Sequence, residues 1–382
     1  MNKAARNYAL DWLRVGGTIA VLLFHSARFF DNGDWHVKNP LPDYGLDLFA
    51  TILIQWLMPL FFILSGAGAW LALERQSAGK FAAGKVPRLL IPLLFGILVL
   101  SPPQVYLERL THHQFAGSLF AWLPHYFDGF YAFGGNFAWM GLHLWYLLVL
   151  LTWSLVTLPL CLWLRKGAAR SLAAFLARPG MIFLLVVPLV LVESLLNPNA
   201  LLATQQMGGW SPLMYVLFYL YGFVLLADDR LPQAVARLWP VAALLAVLIP
   251  AFVVVSGLDT SSPYPSLRFV LMTGLRNLNA MSWLLALMGV GLRFLNFRNR
   301  FLDVAGEAVL PFYMLHQPVL LIIGYFVVQW SWPAGAKFGF IALTALVVIL
   351  TIYAGLIRPF RISRFLFGMK AQPADGARRA AA

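Results

Sequence analysis

The chain has 382 residues, 61% of them hydrophobic and only 11% charged, with a mean hydropathy of +0.76. Soluble domains carry about 45–50% apolar and about 25% charged residues, so the composition excludes a water-solvated globule and demands a polytopic, all-α membrane bundle. The formal charge of +13 points to asymmetric membrane loops rather than to nucleic acid, and the single cysteine, Cys161, excludes an intramolecular disulfide and a thiolate metal centre.

A spanning helix needs about 20 mostly apolar residues, and ten stretches meet or approach that length: 9–30, 46–73, 86–105, 141–164, 180–196, 211–227, 239–257, 267–292, 308–330 and 336–357. The first could pass for a signal peptide, because Lys3 and Arg6 precede it. It contains Arg14, however, and ends in Ala27-Arg28-Phe29-Phe30 rather than a small-residue cleavage site, so a retained span is expected. Pro59, Pro92, Pro188 and Pro318 fall inside spans, where neighbouring helices re-satisfy the freed backbone groups.

Most cations fall in alternate connections: Lys3 and Arg6, Arg75 to Arg88, Arg165 to Arg178, Arg230 and Arg237, Arg293 to Arg300, and the tail from Arg358 to Arg379. Little more than Lys38, Arg109, Arg268 and Lys337 occupies the other side. The bias predicts about ten spans, an even number, with both termini cytoplasmic. One ten-span domain over residues 1–370 and a disordered cytoplasmic tail over 371–382 follow.

Two outward segments, 31–45 and 106–140, are too long for simple turns. The second holds Trp122, His125, Tyr126, Phe127, Asp128, Tyr131 and Trp139. Such aromatic faces suit a sugar acceptor, and equally an interfacial belt. His112, His113 and His125 lack metal-ligand spacing, and no metal site is expected.

Ionisable groups inside a bilayer are costly, so each is a functional-site hypothesis. Arg14 and His25 share the first span. Eleven helical steps come within about 20° of three full turns, which puts both on one stripe about 16 Å apart in depth. By depth, His25, His143 and Glu193 gather towards the outside, and Arg14, Arg276 and His316 deeper or nearer the cytoplasm. Arginine suits a phosphate or pyrophosphate donor, and histidine is the side chain best poised near neutral pH to take a hydroxyl proton. The bland readings are that Arg14 snorkels or pairs with Asp11, that His25 is bonded to a neighbouring helix, and that Arg28 is an interfacial anchor.

Arg14-x10-His25 resembles the hallmark of the acyltransferase-3 family of integral membrane proteins. Three further patches agree in order and separation: Phe61-Phe62-Ile63-Leu64-Ser65-Gly66, His143-Leu144-Trp145-Tyr146-Leu147, and Pro311-Phe312-Tyr313-Met314-Leu315-His316-Gln317-Pro318. Trp35-His36-Val37, with the His-Leu-Trp patch, resembles the glucan-biosynthesis protein C branch. The resemblance implies an O-acyltransferase of the bacterial inner membrane that uses acyl-CoA (acetyl-CoA or succinyl-CoA) as co-substrate and holds no permanent cofactor. Its acceptor would be an extracytoplasmic glycan or glycolipid, with membrane lipids around it and no nucleic acid.

Carried over onto this sequence, Arg14 would contact the donor, and His25 would be the catalytic base or a transient acyl carrier. His143, with Glu193, is placed on the acceptor side, and His316 and the buried charge Arg276 on the donor side. No appended SGNH-type hydrolase segment follows the bundle, so transfer is expected either directly or through a separate envelope-biosynthesis partner; a homo-oligomer is compatible with both. The rival reading, a transporter or flippase for a small anionic or glycolipid substrate, calls for two related halves, and spans one to five show no repeat in spans six to ten.

Overall fold

The computed structural model describes residues 7–196, 207–258 and 263–370. Among them there is no strand, and the helices in chain order are α1 (Tyr8–Ala27), α2 (Tyr44–Ile54), α3 (Leu57–Arg75), α4 (Ala78–Phe95), α5 (Pro102–Thr111), α6 (Leu119–Trp122), α7 (Trp145–Val156), α8 (Leu158–Leu164), α9 (Ala168–Leu176), α10 (Val186–Leu195), α11 (Pro212–Leu225), α12 (Arg230–Val255), α13 (Leu267–Phe294), α14 (Arg300–Val327), α15 (Ala334–Ile352) and α16 (Arg361–Leu366). The expected all-helical class is therefore found, while Lys3, Arg6 and the tail 371–382 lie outside the described residues.

Five helical stretches are long and apolar enough to cross a membrane: Tyr44–Arg75, Ala78–Thr111, Arg230–Val255, Arg300–Val327 and Ala334–Ile357. A sixth is added if Leu142–Val156 and Leu158–Leu164, bent by 52° at their junction, form one broken span. The other four expected stretches are also helical, for identifiable reasons less apolar or shorter. Asp11 and Arg14 interrupt α1, and Arg268, Arg276, Asn277, Asn279 and Arg293 interrupt α13. Met181–Leu195 and Pro212–Leu225 are short apolar helices.

The described residues form two compact units, one within Met1–Gly17, Thr51–Ala82 and Thr152–Gly306, the other within Thr18–Ala50, Ala83–Leu151 and Glu307–Ala382. In the first, α3 and α11 cross at glycines. A Cβ on Gly66 would collide with the Tyr219 carbonyl, and one on Gly222 with the Ile63 carbonyl. Small residues let helix backbones approach within a membrane bundle, where dispersion contacts hold helices together. Phe62 stacks on Tyr215 beside this crossing, at 4.3 Å between centroids. Replacing Gly222 with valine should separate the two helices and cost about 3 kcal/mol or more, because rigid backbone cannot yield as a side chain does. The midpoint of thermal unfolding in detergent measures the loss.

In the second unit α4 continues through a π-helical turn, Gly96–Leu100, into α5. A Cβ on Gly96 would meet the end of the Leu144 side chain, which would have to shift to admit it. The long aromatic segment after α5 folds over its own small core of Val105, Trp122, Tyr126 and Ala138, and the Tyr126 hydroxyl donates to the Ile97 carbonyl at 2.7 Å. Trp122 and Tyr126 are thus packing residues, whereas Phe127, Phe130 and Trp139 present exposed aromatic surface.

Candidate active site

In the second unit, three histidines from distant parts of the chain come together. The His316 ring lies 4.8 Å from that of His25 and 5.0 Å from that of His143, centroid to centroid. The backbone explains how α14 receives them. Pro318 has no N–H, so the Met314 carbonyl lacks its helical donor four residues on. The His143 Nε2–H takes that place, donating to the Met314 carbonyl at 3.1 Å. His143 is delivered by a left-handed turn at Gly141 and Leu142, with φ of 75° and 53°, followed by a 3₁₀ turn over Leu142–Leu144. The Tyr313 hydroxyl donates in turn to the His143 carbonyl, clamping the two elements together.

The hydrogen bonds fix the tautomers, because a carbonyl can only accept. His316 donates from Nδ1 to the Tyr313 carbonyl, which leaves its Nε2 as an acceptor. His25 places Nδ1 at 3.0 Å from the Val21 carbonyl and 3.2 Å from His316 Nε2, so Nδ1 carries the proton and is shared between two acceptors. The free lone pair of His25 is therefore on Nε2. His316 is 0% exposed and His143 6%, whereas His25 as a residue is only partly buried. Replacing His316 with phenylalanine keeps the volume and removes the acceptor. If His25 takes part in the chemistry, turnover should fall about tenfold or more with the protein still folded, because its imidazole loses the partner that orients it, as read by steady-state rates at matched abundance.

A second polar network lies in the same unit. His36 Nδ1 donates to the Glu108 carboxylate, which also accepts the Tyr131 hydroxyl at 2.6 Å and has Arg109 at 3.4 Å. Burial, followed by the Glu108 charge, pushes the Tyr131 phenol up, so it stays a donor. The other nitrogen of His36 receives the Gln317 amide at 3.2 Å. Trp35 sits between the two networks, its ring 5.9 Å from that of His25 and 5.7 Å from that of His36.

The first unit holds the remaining predicted residues in separate places. Arg14 pairs with Asp11 at 3.0 Å and donates to the Leu64 carbonyl at 2.9 Å, an approach to α3 that Gly68 permits by having no side chain. Arg276 ion-pairs with Glu193, donates to the Gly209 carbonyl and lies 4.3 Å over the Trp210 ring. Glu193 accepts from Asn277 at 2.7 Å as well. Arg276 and Glu193, assigned from sequence to opposite ends of the reaction, are partners, and His316, grouped from sequence with Arg14 and Arg276, stands beside His25 and His143.

Residues 7–357 match the family model of acyltransferase-3, described as an acyltransferase domain. The chain belongs to the acyltransferase-3 family. Curated relatives named Glucans biosynthesis protein C, from Salmonella agona (strain SL483), Salmonella paratyphi A (strain ATCC 9150 / SARB42) and Salmonella heidelberg (strain SL476), are each 25% identical to it over 352 residues, 85% of either chain. No solved structure matches. The histidine cluster is thus the candidate centre of a membrane acyltransferase.

Sequence reasoning passed over Glu108 in this acyltransferase-3 chain and used His36 only as part of a short patch. A lone carboxylate within the mostly apolar Val105-Tyr106-Leu107-Glu108-Arg109-Leu110 was the available signal. Its partner lies 72 residues earlier, and no local pattern reports that pairing.

Proposed function

We propose that the protein transfers an acetyl or succinyl group from cytoplasmic acyl-CoA to a hydroxyl of an extracytoplasmic glycan or glycolipid. The setting is a ten-span bundle of the bacterial inner membrane, with both termini in the cytoplasm. The observation that carries this reading is the tautomer of His25. Its Nδ1–H is held by Val21 and His316, and its Nε2 lone pair is left for chemistry.

As a base, Nε2 takes the acceptor hydroxyl's proton while the oxygen attacks the thioester carbonyl. The C–S bond then breaks, and the departing thiolate recovers the proton from the imidazolium. The positive charge that forms on His25 meets the acceptor nitrogen of His316. If His25 is instead a transient acyl carrier, the same lone pair is the nucleophile. Arg14 is the proposed contact for the donor's phosphates, for which its rigid fork of N–H donors is suited.

The test uses purified protein in lipid nanodiscs, supplied with acetyl-CoA or succinyl-CoA and a glucan oligosaccharide. CoA thiol and ester product should appear in equal amounts with one of the donors. Well-folded protein that binds neither CoA ester would sink the proposal, and movement of a solute across liposomes without any CoA ester would favour a transporter.

A further inference from the structure

Trp35 is held in place from several sides. Its ring meets the fully buried Phe29 edge to face at 4.8 Å, and Phe29 itself occupies space that Gly324 leaves open. The next residue, His36, is fastened by the buried Glu108 carboxylate, by Gln317, and through its backbone carbonyl by the Thr111 hydroxyl at 2.8 Å. Arg28 donates to the carbonyl of the preceding residue, Asp34, at 2.7 Å. Trp35 nevertheless remains partly exposed, and among the described residues its indole N–H has no hydrogen-bond partner. An amphipathic ring fixed this firmly, with surface and a donor left over and the reacting imidazole beside it, is organised to meet a ligand.

We propose that Trp35 is the platform on which a pyranose ring of the acceptor stacks beside His25, with Glu108 and His36 as positioning residues that hold it there. The C–H face of a sugar ring matches an apolar aromatic surface, and the indole N–H can donate to a ring hydroxyl. Stacking on Trp35 brings a neighbouring hydroxyl to His25 Nε2. An open-chain alcohol offers no such face and would react without this contact. The proposal rests on the transfer reading above and adds to it the residue that recognises a sugar as a sugar.

The experiment compares wild type, Trp35→Ala, Trp35→Phe, Glu108→Gln and Glu108→Asp in nanodiscs. Each is assayed with a glucan oligosaccharide and, separately, with glycerol as the hydroxyl acceptor, and oligosaccharide binding is followed by saturation-transfer NMR. Trp35→Ala should raise the oligosaccharide KM about tenfold or more, equivalent to the loss of one good aromatic contact, and abolish the saturation-transfer signal. Its KM for glycerol and for the CoA ester should not move, and phenylalanine should restore most of the loss. Glu108→Gln should show the same oligosaccharide-selective effect more weakly, with aspartate recovering part of it.

An unchanged oligosaccharide KM in Trp35→Ala, or an equal rise for both acceptors, overturns the platform. A wild type that transfers to neither acceptor overturns the underlying function instead, so the two failures are told apart. If Trp35→Ala proves unstable, the Trp35→Phe comparison between acceptors and the Glu108 pair decide the question: no acceptor-selective change in any of them counts against the proposal.

Discussion

Replacing His25 with alanine is expected to lower acyl transfer by about 10²- to 10⁴-fold while leaving the protein folded, the range associated with loss of a positioned general base. The fold has a modest investment in this side chain. Its bonds are to the Val21 carbonyl of its own helix and to His316, and it is partly exposed. Losing the bond to Val21 and leaving the buried His316 Nε2 without its donor costs about 1–3 kcal/mol. Product formation at equal membrane abundance measures the first quantity, and thermal unfolding in detergent the second. Near wild-type transfer by the alanine variant would remove His25 from the chemistry. Intact-protein mass spectrometry of wild type with donor alone separates the two roles, because a carrier adds the mass of one acyl group and a base adds none.

Replacing Glu193 with alanine is expected to destabilise the first unit by about 3–5 kcal/mol, the cost of leaving a desolvated charge without its partner. The Glu193 side chain is 11% exposed and that of Arg276 24%. Alanine would leave the guanidinium facing the Gly209 carbonyl and the Trp210 ring with its charge uncompensated, and would deprive Asn277 of an acceptor. Removing both charges with Glu193→Leu and Arg276→Met should recover much of the stability, since two apolar side chains of similar volume need no compensation. Unfolding midpoints for the two single changes and the double give the coupling directly. Donor and acceptor KM values measured on the double variant then show whether the pair also meets a substrate. Strict additivity of the single effects would mean that the contact contributes nothing.

The fold was largely legible because its determinants are local. Hydropathy and length define each apolar stretch, and every one of the ten expected stretches lies on helix. The charges that marked α1 and α13 as unusual are also what makes them less apolar than the five clearest candidate spans. The aromatic segment after α5 is visible in the sequence as too long for a simple turn, but not which of its rings are core: Trp122 and Phe127 are equivalent in a sequence and opposite in burial.

The candidate site was legible in its residues and not in its grouping. Depth along a helix follows from counting at 1.5 Å per residue, which singled out Arg14, His25, His143, Glu193, Arg276 and His316. Which of them touch depends on helix rotation and packing, and on backbone groups freed by particular residues. Pro318 opens the Met314 carbonyl to His143, and that contact spans 171 positions.

By itself the sequence determined that this is a helical membrane protein of the acyltransferase-3 family, with ionisable groups at stated places on its helices, because composition, periodicity and short motifs are properties of contiguous residues. Only the tertiary structure decided that His316 orients His25 across 291 positions, that Glu193 belongs to Arg276, and that a buried Glu108 fastens His36 beside Trp35. Those outcomes are set by which side chains share a desolvated space, where every polar group must find a partner, and that space exists only once distant helices have packed.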